Sequence, residues 1–162
     1  PRPGLAGRPR PLVRVLALDL GAKRIGVAVS DADARVATPV LVLERHRDRA
    51  RLHREIAELV VEWEAELLLL GLPLDLRGEV GPAAAAVMVE RDELAAVVGV
   101  PVEVHDERLT TRIADRALQE RGDLDGRQRR RVVDMVAAAV ILQDWIDRRR
   151  SGGRADGEET HP

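Results

Sequence analysis

Three places in this 162-residue sequence hold acids where a carboxylate is costly. Asp19 ends the apolar run Leu12 to Asp19 (LVRVLALD), two residues before Gly21. Asp106 and Glu107 follow the strand-like segment Pro101 to His105. Asp134 falls beside Ile141 and Trp145 on a helical wheel, at the edge of a stripe made by Val133, Ala137, Val140 and Ile141. A lone carboxylate in such surroundings costs several kcal/mol unless it is paired or binds a cation. Taken singly, each is accounted for by an arginine salt bridge or by a side chain that reaches the rim. Taken together they suggest chemistry. Asp19 and Glu107 lie near the carboxyl ends of strands, where open α/β sheets collect ligands, and a helix rim could bring Asp134 between them. Three hard oxygen ligands without cysteine suit Mg²⁺ or Mn²⁺. Two such ions about 4 Å apart clamp the attacking and leaving oxygens of a phosphodiester.

Composition limits what can position these groups. A chain of 162 residues and 17.8 kDa is one domain's worth. Cys is 0, which excludes a disulfide framework and thiolate metal sites and points to a reducing cytoplasm. Phe and Tyr are both 0 and Trp is 2, so Leu, Val, Ile and Ala build the core and almost no aromatic platform exists for stacking bases. Lys+Arg 26 against Asp+Glu 28 gives a net charge of -2, which excludes a uniformly basic nucleic-acid wrapper and requires a local patch. No apolar run reaches the roughly 20 residues of a membrane helix. Residues 1–11 alternate Pro, Arg and Gly and read as a disordered leader, not a secretory signal. Residues 151–162 are Gly-rich and polar and read as a flexible tail, leaving 12–150 as the folded domain.

Within that domain, Leu12 to Asp19, Ile25 to Ser30 and Val36 to Leu43 read as strands, the first two as a hairpin broken at Gly21. Pro39 places the third strand at an edge. Arg49 to Glu64 is helical, with Leu52, Ile56, Leu59, Val60 and Trp63 at three- and four-residue steps. Leu67 to Leu72 is a buried strand stopped by Pro73, and Pro82 opens a helix that ends at Gly99. Pro101 to His105 is the last strand. A helix from Thr110 or Thr111 to about Arg121 and another from Arg127 to Arg150 complete the chain. Strands alternating with helices specify a mixed sheet covered by helices.

These residues also carry a resemblance. Asp19-Leu-Gly21-Ala-Lys23-Arg24-Ile-Gly26-Val-Ala28 resembles the opening D-x-G-x-(K/R)-R-x-G-x-A of the YqgF/RuvX family of Holliday junction resolvase-like proteins and pre-16S rRNA nucleases. Three further blocks follow in the family's order: Gly71-Leu72-Pro73-Leu74 with Gly78 and Gly81-Pro82, Asp106-Glu107-Arg108-Leu109-Thr110-Thr111, and Val133-Asp134 with Ala137-Ala138 and Ile141-Leu142-Gln143. The resemblance spans about residues 14–146. It implies a ribonuclease H-like fold with a mixed five-stranded sheet, and a metal-dependent nuclease whose ligands for Mg²⁺ or Mn²⁺ are Asp19, Glu107 and Asp134. Asp19 would bridge two ions, and Glu107 and Asp134 would each complete one shell. Asp106 is either a partner behind the ligands or itself the ligand, with Glu107 turned outward.

Lys23, Arg24 and Arg108 are then candidate phosphate contacts. So are Arg129, Arg130 and Arg131 in the run Arg127 to Arg131 (RQRRR), whose competing reading is a solvated helix start. His46, His53 and His105 have no ligand spacing and read as surface or structural. The implied substrate is structured nucleic acid, with 5'-end processing of the small-subunit ribosomal RNA precursor preferred because a modest basic patch suits one phosphate strand. The alternatives are resolution of four-way DNA junctions, whose symmetric cuts call for a homodimer, and a non-catalytic nucleic-acid-binding assembly factor. A nucleotide-clasping ATPase with a similar D-x-G turn needs a second domain that this length does not hold.

Overall fold

The computed structural model describes residues 14–108 and 125–155, the side chains of 153–155 excepted. β1 (Val15–Leu20), β2 (Arg24–Ser30) and β3 (Ala37–Glu44) are followed by α1 (Arg49–Glu62), β4 (Leu67–Leu72), α2 (Pro82–Ala95), β5 (Val102–Asp106) and the long α3 (Gly126–Ala155). The strands form one sheet in the order β3-β2-β1-β4-β5. β1, β2 and β3 are antiparallel neighbours, whereas β4 and β5 run parallel to β1. This is the mixed five-stranded sheet that the sequence implies. β3 is an edge strand, as Pro39 requires, and a register shift between Val27 and Ala28 lies opposite that proline.

Side-chain alternation sends Leu16, Leu18, Ile25, Val27, Leu68 and Leu70 to one face of the sheet, where α1 and α2 cover them. Val15, Ala17, Ala28 and Leu69 face the other side and pack on Ala138, Ile141, Leu142 and Trp145 of α3. The strands buried on both faces therefore read as continuous apolar runs. Asp48 caps α1, its Oδ1 accepting from the Arg51 amide at 3.1 Å. That helix ends two residues before the expected Glu64, because Glu64 takes a left-handed φ of 52° that a helix cannot continue. α3 runs on to Ala155, past the expected stop at Arg150 and into the Gly-rich segment, since Gly152 and Gly153 lower helix propensity without capping it. The helix expected from Thr110 to Arg121, residues 1–11 and the rest of the expected tail lie outside the described residues. Among the described residues no helix is long and apolar enough to cross a membrane.

α3 approaches β2 so closely that residue 26 has no room for a side chain. A Cβ on Gly26 would stand 1.8 Å from the backbone oxygen of Asp134. Gly26→Ala should therefore push α3 off the sheet and cost about 3 kcal/mol. A denaturant titration checks this, and an unchanged midpoint would refute the close approach.

Candidate active site

The period of the strands decides which acids meet. On β1 the α3-facing positions are Val15, Ala17 and Asp19, and on β4 they are Leu67, Leu69 and Gly71. On β5 they continue through His105 to Glu107, whose amide donates to the Leu72 oxygen at 3.1 Å and so extends the parallel ladder by one step. Asp106 points to the opposite face. Its carboxylate accepts from Arg108 Nε at 2.8 Å and from the Arg108 amide at 3.0 Å. These hydrogen bonds from Arg108 hold Asp106 below the ordinary carboxylate range. Arg108 in turn lies over Gly78, a glycine with φ of 81°.

Asp19 and Glu107 share a hydrogen bond between their carboxyls. Room for it comes from Gly71, where a Cβ would meet Glu107 Oε2 at 2.5 Å and Ile141 Cδ1 at 2.6 Å. Burial and the nearby charge of Asp134 raise Asp19 to about 6, against the opposing hydrogen bond from Glu107. Burial, the charge of Asp19 and that same hydrogen bond raise Glu107 to about 8. Both carboxyls are thus pushed toward the protonated form, and they titrate as a pair.

Asp134 is delivered by α3 beside this pair, but its Oδ2 accepts from Arg24 Nε at 2.7 Å. The arginine bridge weighed for this residue in isolation is therefore present. With Asp134 so engaged, the described residues hold no group of three carboxylates or imidazoles that could bind a metal ion as they stand. Of the other candidates, Lys23 is exposed on the β1–β2 turn, and Arg129 and Arg130 are exposed at the start of α3. Arg131 is exposed beside them, 3.6 Å from Glu44.

Sequence reading missed a polar network on the far face of the same turn. Arg45, just past β3, donates through Nε to the Gly21 oxygen at 2.6 Å and through both terminal nitrogens to Glu90 at 3.1 and 2.9 Å. His53 Nε2 lies 3.0 Å from Glu90. Burial opposes ionisation of Glu90, but the hydrogen bonds from Arg45 and His53 and the charges of Arg45 and Arg49 hold it below the ordinary range. A signal existed: Glu90 falls in the apolar series Ala84, Val87, Glu90, Leu94 at helical spacing. His53 is structural, as read, and His105 also has a partner, with Nε2 2.7 Å from Asp144 on α3.

Asp19 and Glu107 bind protons more tightly folded than unfolded. Their contribution to stability is therefore most favourable below about pH 4 and is lost as the pH rises through about 6 and about 8. With divalent cations chelated, Asp19→Asn should flatten the fall in melting temperature from about pH 5 to about pH 8 and raise the melting point at the upper end by roughly 5 °C. Parallel melting curves for the two proteins across that range would contradict the buried-pair assignment.

The family model described as "RuvX: Holliday junction resolvase" matches residues 13–148. A protein of Chloroflexus aggregans named "Putative pre-16S rRNA nuclease" is 44% identical over 137 residues, 85% of this chain and 95% of that one. A protein of the same name from Mycobacterium ulcerans is 46% identical over 147 residues, 89% of this chain and 85% of that one. The solved structure of Thermus thermophilus RuvC in complex with a Holliday junction substrate has a TM-score of 0.48 and 18% identity, covering 85% of this chain and 96% of that chain. Matched in sequence over nearly the whole described region, the chain belongs to the RuvX family.

Proposed function

We propose that this protein is a metal-dependent nuclease of structured nucleic acid, acting in the cytoplasm on the 5' end of the small-subunit ribosomal RNA precursor. The observation that carries this reading is the desolvated Asp19–Glu107 pair at the strand ends, with Asp134 close enough to raise Asp19. The donor set is all oxygen, and two of its carboxyls are close enough to share a hydrogen bond. Mg²⁺ or Mn²⁺ fits that chemistry, with Asp19, Glu107 and Asp134 as the residues that would hold it. When bound, a pair of such ions supplies an activated water and neutralises charge on the phosphate.

The chain's own residues do the remainder. β1 fixes Asp19 on the α3-facing side, where it shares a hydrogen bond with Glu107. Asp106 is assigned to orienting Arg108. Arg24 holds Asp134 through Nε, which leaves the rest of its guanidinium as the assigned phosphate contact. Lys23 on the β1–β2 turn, Arg108 after β5 and Arg129 to Arg131 at the start of α3 are assigned as phosphate contacts. The description of the family model favours a second reading, cleavage of four-way DNA junctions by a homodimer.

Side-by-side cleavage of structured RNA bearing a 5' precursor extension, single-stranded RNA and a four-way DNA junction, each with Mg²⁺ and with Mn²⁺, decides between them. We expect the structured RNA to be cut fastest and Asp19→Asn to lower the rate at least about 100-fold while the protein stays folded. Faster cutting of the junction would favour the second reading. No metal-dependent cleavage of any substrate would leave a non-catalytic binding factor. Replacing Arg129, Arg130 and Arg131 together with Gln should weaken substrate binding and flatten its dependence on salt, by roughly 0.7 to 0.9 of a logarithmic unit of slope per lost phosphate contact. An unchanged slope would remove α3's first turns from the interface.

A further inference from the structure

The polar network behind the β1–β2 turn has features that plain stability does not require. Glu90 and His53 are only 4% and 5% exposed and sit within the apolar faces of two different helices, α2 and α1. Apolar residues of similar size would fill both places at lower cost, since a buried ion pair seldom repays its desolvation. His53 meets Glu90, and Glu90 meets one guanidinium. Two nitrogens of Arg45 take the two oxygens of Glu90, and the third, Nε, takes the Gly21 carbonyl. The fork is fixed in position before it meets the turn.

What it meets is the backbone next to Asp19. The last register pair of the β1–β2 ladder is Leu20 with Ile25, so the Gly21 carbonyl lies beyond the sheet. The Gly21 amide donates to the Asp19 oxygen at 3.1 Å, and the Arg45 amide donates to the Lys23 oxygen at 3.0 Å. A single residue thus holds two of the three turn positions, one through its backbone and one through its side chain. The turn is tight: a Cβ on Gly21 would stand 2.5 Å from the Arg24 oxygen.

We infer that Arg45, clamped by Glu90 with His53 behind it, is a positioning residue that fixes the Gly21 turn and through it the carboxylate of Asp19 and the side chains of Lys23 and Arg24. The inference rests on the nuclease reading for its catalytic consequence, and the geometry of the turn can be measured without it. Arg45 touches neither Asp19 nor Glu107; it acts through the backbone. A cleft of about 390 Å³ beside it, lined by Ala22, Arg45, His46, Arg47, Arg49 and Leu52 among others, gives a small ion access to the same place.

The test compares wild type with Arg45→Gln, Arg45→Lys and Arg45→Ala. Arg45→Lys keeps a charge beside Glu90, so it folds even if Arg45→Gln does not, and it cannot serve Glu90 and Gly21 together. We expect kcat to fall at least about tenfold in each folded variant, with substrate Kd within about twofold. Amides of residues 20–24 should exchange with solvent at least about tenfold faster, while those of β4 are unchanged. Millimolar guanidinium, but not ammonium, should restore a large part of the rate of Arg45→Ala. Unchanged exchange in the turn, or a kcat within about twofold of wild type whatever the melting temperature, would overturn the positioning role. If the wild-type chain cleaves no substrate, the nuclease reading fails instead, and the exchange measurement still decides whether Arg45 holds the turn.

Discussion

The closeness of α3 to the sheet is the constraint on which the rest of this structure depends. Along β2 the helix backbone at Asp134 lies where a methyl group on residue 26 would be, and along β4 the side chains of Ile141 and Glu107 lie where one on residue 71 would be. Two glycines, on the strands either side of β1, therefore do the same job. They let a helix that is apolar along Ala138, Ile141 and Leu142 sink onto the sheet at one end while its polar N-terminal turns stay at the rim. Without that approach Asp134 would reach solvent, and the shielding that raises Asp19 and Glu107 would be lost.

That closeness works against stability in one respect. Three carboxyls are brought within electrostatic reach of one another, two of them half-buried, and the protein moderates their repulsion in two ways. Asp19 and Glu107 share a hydrogen bond, and Asp134 is drawn onto Arg24. Each partner is one that a polyanion and its cations would compete for. The apolar packing on both faces of β1, with Val15, Leu16, Ala17 and Leu18 wholly buried, is what sustains such a site. The positive groups are spread differently. Lys23 and Arg129 to Arg131 are solvated and cheap to hold, whereas Arg45 is spent on geometry from the opposite face.

Much of this was legible before any coordinates. The nearly unbroken apolar runs of β1 and β4, the three-and-four spacing of α1, Pro39 at an edge and Pro82 at a helix start are local signals, and local chain physics settles them. Asp19, Glu107 and Asp134 stood out because a carboxylate on an apolar element demands a partner. Glu90 and His53 met the same criterion, on α2 and α1, but a helix carrying other solvated acids and lone histidines hides them, and their partner Arg45 lies in a loop with no pattern of its own.

The sequence by itself determined which residues are apolar at which period, and hence the elements, their order and the acids that could not sit in an apolar setting without a reason. Only the tertiary structure decided the order β3-β2-β1-β4-β5 and the pairing of charges within it. Asp106 and Glu107 are adjacent in sequence and equivalent in composition. The pleat of β5, fixed by its parallel register with β4, sends one to Arg108 and the other to Asp19. Arg24 and Asp134 are 110 positions apart, and Arg45 and Glu90 are 45 apart. Charge pairing at such separations leaves no periodic trace in the chain, because it depends on where helices land on the sheet, and that is set by packing.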